Sequence, residues 1–201
     1  MPHRILLIIL LSSTLNISAQ LKNKNNDNAD SLEAENFEKK RGCQEKYQYN
    51  LKQRLNNYPF SKSDQVIAIS WSYVTDTIPT PDDSLPDIVE INFQHIPIVK
   101  NRLEKEKMNE IYDFNKSQID SLTNILYNFD GLGYAPACYE PHHAIVFLKN
   151  EKVIEYIEIC FQCHGVELSN GKAMQISFCS EKYEMIKELF KGIGIKYELE
   201  E

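Results

Sequence analysis

The chain predicts an α+β domain: a mostly antiparallel sheet of four to six strands with helices packed on one face. Three observations carry that expectation. Gln65–Thr75 (QVIAISWSYVT) is β-branched and aromatic, with Ile67, Ile69, Trp71 and Tyr73 alternating against Val66, Ala68, Ser70 and Ser72. That is the period of a strand with one strongly apolar face. His143–Leu148 and Val153–Phe161 flank the polar Lys149–Lys152, the pattern of an antiparallel hairpin. Two stripes, Ile119/Leu122/Leu126/Phe129 and Met185/Ile186/Leu189/Phe190, have the spacing of helices that bury one side.

Taken in order, residues 1–19 read as a secretory signal peptide. His3 and Arg4 precede the apolar run Ile5–Leu11, and small residues end at Ala19 before Gln20; the run is too short to span a bilayer. Residues 20–36 are polar and offer almost nothing to bury, so they read as a disordered lead-in. A single domain is expected over residues 37–201. Tyr47, Leu51 and Leu55 repeat every four residues, a helical stripe that Pro59 stops. Asp87–Phe93 reads as a second strand, antiparallel to Gln65–Thr75 across a proline-rich loop. Lys100–Glu110 reads as a solvated charged excursion with no assigned function.

Asn115 or Ser117 caps the next helix and Gly131 and Gly133 end it. After the hairpin, Ser169-Asn170-Gly171 marks a turn and Met174–Cys179 a further strand. Ser180 caps the last helix, Gly192 terminates it, and Ile193–Tyr197 adds a short edge strand.

Charge and composition exclude several functions. The chain carries 22 basic and 29 acidic residues, net −7; loss of the signal peptide removes Arg4 and leaves the mature chain more acidic still. Such a surface repels phosphate backbones, so no nucleic-acid partner is expected. No second apolar stretch is long enough to span a membrane, so none is expected after signal cleavage. There is no Gly-rich phosphate loop, Gly-x-Ser-x-Gly elbow or His-Glu-x-x-His helix. No catalytic residue is assigned, and the chain reads as a non-enzymatic monomer.

The residues able to carry chemistry crowd into Cys138–His164, which holds three of the five cysteines and three of the five histidines. A hairpin closing symmetrically about Asn150-Glu151 sets His143 opposite Glu158. His143, Glu158 and Cys160 then share one sheet face, with Cys138 brought near Cys160 and Cys163. A slip of one residue swaps His142 for His143.

Four readings follow. In an exported chain thiols pair, giving Cys138 with Cys160 or Cys163, Cys43 with Cys179, and one thiol left free or intermolecular. Alternatively, Cys138, His143 or His164, Cys160 and Cys163 supply sulfur and nitrogen ligands suited to zinc. Cys160-Phe161-Gln162-Cys163 has the spacing of a thiol–disulfide exchange pair, although no helix follows it. Cys160-x-x-Cys163-His164 matches c-type haem attachment, without a helical haem-wrapping pattern around it. The structural disulfide reading leads, no cofactor is expected from it, and zinc or redox use of the same residues is the alternative.

The stretches CYEPHHAIVF, KVIEYIEICFQC and EKYEMIKELFKGIGIKY resemble a group of small exported bacterial proteins of unknown function. Their pattern is Cys-x-x-Pro-x-His, a hydrophobic strand, Ile-Cys-Phe-x-Cys and a closing helix, matching here over residues 115–197. The resemblance implies that Cys138, His143, Cys160 and Cys163 form a unit; it implies no activity.

Overall fold

A central antiparallel sheet of five strands forms because its apolar strands bury side chains on both faces while a polar edge strand joins through backbone pairing alone. The structure is a computed structural model that describes residues 42–78, 88–92, 95–133, 138–173 and 176–199. The expected signal peptide, the lead-in and most of the proline-rich loop lie outside those residues.

The strands are β1 (Gln44–Glu45), β2 (Gln65–Trp71), β3 (Val74–Ile78), β4 (Ile88–Asn92), β5 (Ile98–Val99), β6 (Arg102–Leu103), β7 (Met108–Asp113), β8 (Phe129–Asp130), β9 (His143–Lys149), β10 (Lys152–Cys160) and β11 (Gly165–Leu168). The helices are α1 (Leu51–Leu55), α2 (Lys116–Asn128) and α3 (Ser180–Ile193). The main sheet runs β11-β10-β9-β2-β7, every neighbouring pair antiparallel. β1–β8, β3–β4 and β5–β6 form separate two-stranded ladders.

Side chains alternate across the sheet, so each central strand feeds two cores. Val66, Ala68, Ile145, Phe147, Ile157, Ile159 and Phe161 face one core, which Leu122 and Leu126 of α2 and Tyr183, Ile186 and Phe190 of α3 complete. Ile67, Ile69, Trp71, Ala144, Val146 and Leu148 face the other, covered by Ile96, Ile98 and Leu103. The helices thus lie on one face, as the α+β reading requires, and irregular chain around β5 and β6 covers the second.

Several boundaries differ from expectation. Helix α1 begins only at Leu51, because Asn50 takes the cap position and its side chain accepts the Gln53 N–H; Tyr47 lies outside it, stacked on Tyr49. The strand from Gln65 stops at Trp71, and Val74 opens β3, with which β4 pairs. The excursion Lys100–Glu110 ends in β7, an edge strand of the main sheet. Asn115 caps α2 through a reciprocal bond with Gln118, and Phe129 rather than Gly131 or Gly133 ends it.

Cys179, not Ser180, holds the N-cap of α3, with no side-chain cap bond, and Gly194 at φ 112° ends that helix beyond Gly192. No strand forms over 176–179, whose chain leads directly into the disulfide and the helix; 174–175 lie outside the described residues. Nor does an edge strand form over 193–197. There the Glu110 carboxylate accepts the backbone N–H groups of Lys196 and Tyr197 and the Ser70 hydroxyl, which holds this segment on the sheet without strand pairing.

Candidate functional site

The hairpin closes where expected, with Asn150 and Glu151 both at positive φ, the backbone of a tight two-residue turn. Val153 pairs with Leu148, but the next partners are Glu155 and Phe147. Ile154 is an extra residue, a β-bulge. Beyond it the register is shifted by one, so Ile159 lies opposite His143 and Glu158 opposite Ala144. The expectation that His143, Glu158 and Cys160 share a face is therefore corrected: His143 shares the helical face with Ile157, Ile159 and Phe161. Glu158 points into the other layer.

His143 is almost fully buried, and its Nε2–H donates to the Tyr197 carbonyl oxygen at 2.7 Å. Phe161 and Phe190 lie against its ring. Burial pushes its pKa down to about 4, against the bond to Tyr197, with His142, Glu110 and Lys187 the charged groups around it. Folded His143 thus resists the proton that the unfolded chain accepts near pH 6.5.

Stability held above pH 6.5 is lost as pH falls toward 4, by roughly 3 kcal/mol for a shift of this size. Urea unfolding measured at pH 7 and pH 4 should show that loss, and His143→Gln, which keeps a donor for Tyr197, should flatten it. An unchanged slope in that variant would remove His143 from the acid response.

The cysteines pair differently from the first expectation in one respect. Cys43 joins Cys179, as anticipated, across 136 residues. Cys160 joins Cys163, three residues on, and Cys138 is exposed and unpaired. Cys160 therefore closes on its near neighbour and not on Cys138, because residues 161–164 form a turn that folds Cys163 back onto the strand end. The Cys163 N–H donates to the Cys160 sulfur at 3.3 Å. His164, at positive φ, stacks on Tyr183 with ring centroids 4.9 Å apart.

A cystine offers no thiolate to zinc, and His143 is committed to a carbonyl. Cys138, His143, Cys160 and Cys163 are thus not gathered as a ligand set. Among the described residues, two groups do bring three ligand atoms within 4.8 Å of one another. One is the Cys43–Cys179 cystine with Glu181, whose carboxylate accepts the Cys43 N–H at 2.7 Å. The other is His95, Glu158 and Glu167, on the sheet face away from the helices. Sequence reasoning missed it because His95 is 63 residues from Glu158 and the bulge hides which way Glu158 points.

Around the Cys160–Cys163 bridge, the cavity lined by Glu140, His142, His143, Cys160 and Glu198 has a volume of about 10 Å³, room for one water at most. Gly131 shows how closely the other bridge is set. A Cβ there would lie 2.6 Å from the Gly42 oxygen and 3.0 Å from the Cys179 Cβ, so Gly131→Ala should destabilise by about 1–3 kcal/mol through overpacking, readable by urea unfolding.

No helix among the described residues is long and apolar enough to cross a membrane. Comparison with protein-family models, curated proteins and solved structures returned no match.

Proposed function

We propose that the chain is an exported, non-enzymatic α+β domain in which the disulfides and His143 serve the fold. The observation that carries this reading is the Cys43–Cys179 bridge, which ties the first described residues to the start of α3 across most of the domain. Such bridges persist in oxidising compartments, in keeping with the signal-like first 19 residues. The 10 Å³ space beside Cys160 leaves no room for a substrate on that side of the bridge.

Expression with its own N-terminus, followed by fractionation and intact mass, tests the proposal. The exported chain should begin at Gln20 and, when denatured without reductant, alkylate at one thiol, Cys138. Retention in the cytosol with all five cysteines alkylated would overturn it.

A second reading, thiol–disulfide exchange at Cys160–Cys163, is favoured by the short separation of its cysteines. Closing so small a loop contributes only about 2 kcal/mol through the unfolded chain, so its reduction costs the fold little. Cys160 is buried and Cys163 half-buried, so an attacking thiolate would meet the Cys163 sulfur. That attack forms a mixed disulfide at Cys163 and releases Cys160 as a thiolate accepting the Cys163 N–H. Reductase activity that survives Cys163→Ser would remove this reading.

A further inference from the structure

Two glutamates face each other across the β10–β11 ladder: Glu158 pairs directly with Glu167. Directly opposed residues share a sheet face, and like charges so placed repel. Here the repulsion is worsened by burial, since Glu158 is 0% exposed. A carboxylate taken from water needs hydrogen bonds and a cation.

The chain supplies the hydrogen bonds. Oε1 of Glu158 accepts the Ile96 N–H at 2.6 Å. Oε2 lies 3.0 Å from His95 Nδ1 and 3.4 Å from the Tyr139 hydroxyl. The Tyr139 hydroxyl donates to that oxygen and so orients the carboxylate.

We propose that His95, Glu158 and Glu167 form a binding site for a divalent transition ion of the zinc class. One imidazole nitrogen and two carboxylate oxygens, all within 4.8 Å of one another, are the donor set of a three-ligand site whose remaining position is left to water. The 3.0 Å between His95 Nδ1 and Glu158 Oε2 is close to the roughly 3.3 Å edge of a tetrahedron with ligand bonds of about 2.0 Å. The ion neutralises the facing carboxylates, and Tyr139 and the Ile96 N–H fix Glu158 from behind, as metal-ligating carboxylates are commonly fixed. The His95 side chain is 65% exposed, which gives the ion a way in from solvent.

This site uses no cysteine and stands or falls separately from the disulfide reading. It also ties the second layer to the sheet, because His95 leads directly into Ile96, a member of that core.

The test uses the mature chain from Gln20, alkylated at Cys138, stripped with chelator and titrated with zinc chloride and then cobalt chloride. One ion per chain is expected, with a cobalt spectrum free of thiolate charge-transfer absorption. His95→Ala and Glu167→Gln should each weaken binding by about tenfold or more. Both side chains are solvent-exposed, so these variants keep the test independent of folding; Glu158→Gln, at a buried position, is the weaker probe. No stoichiometric uptake by the folded chain, or uptake unchanged in both exposed-ligand variants, would overturn the site.

Discussion

Replacing Cys43 and Cys179 together with serine is expected to destabilise the domain by about 5 kcal/mol, the chain-entropy value for a loop of this length. The bridge spans 136 residues, so without it the unfolded chain regains nearly all the freedom that the crosslink removes. The other contacts that hold the N-terminal segment are polar: β1 and β8 pair over two residues, Cys43 N–H donates to Glu181, Lys46 pairs with Asp130 at 2.5 Å, and the Lys46, Tyr47 and Tyr49 N–H groups donate to Asn128. The Lys46 ammonium, with Ser177, holds the Asp130 carboxyl down to about 2, but the lysine is exposed and such a pair is screened by solvent. Urea unfolding of the double-serine chain at neutral pH measures the loss. The paired control, Cys160→Ser with Cys163→Ser, should lose only about 2 kcal/mol. Equal losses from the two pairs would contradict a mechanism based on loop length.

Trp71→Ala is expected to cost about 4 kcal/mol, the usual range for emptying a large aromatic site. Trp71 is fully buried in the layer formed by Ile67, Ile69, Ile96, Ala144, Val146 and Leu148. That layer is thin. Among the described residues its outer wall is the chain around Ile96, Ile98 and Leu103, with no α-helix to slide inward, so much of the vacated volume should remain a cavity. Circular dichroism during urea unfolding suits the comparison, because the sequence has one tryptophan and the variant loses its fluorescence. An Ile111→Ala control, on an exposed edge position, should stay within about 0.5 kcal/mol. A loss at Trp71 as small as the control's would mean that the second face is not a packed core.

The parts of the fold legible in the sequence are those where packing and local pattern agree. The hairpin turn at Asn150-Glu151, the Asn115 cap and the apolar stripes of α2 and α3 all state their conformation locally. β7 was hidden because Met108–Asp113 is polar and mostly exposed, an edge strand held by backbone pairing with β2. Ser180 offered a hydroxyl for the cap, but the cystine at Cys179 had already set the chain's entry into the helix. Cys43 was expected with Cys179, as the structure has it, and Cys138 with Cys160 or Cys163, which instead pair with each other through the turn at 161–164. The His95–Glu158–Glu167 group depends on register, and register depended on Ile154, which looks like any other strand residue among Val153, Glu155 and Tyr156.

The extra residue at Ile154 makes the two ends of the hairpin answer to different rules. Its turn end counts residues from Asn150-Glu151, and its far end counts them from the layers it must fill. A chain shortened by that single isoleucine could satisfy one count only. Either the tip would come apart, or Ile157 and Ile159 would rotate away from the helices while Glu158 turned inward among phenylalanines.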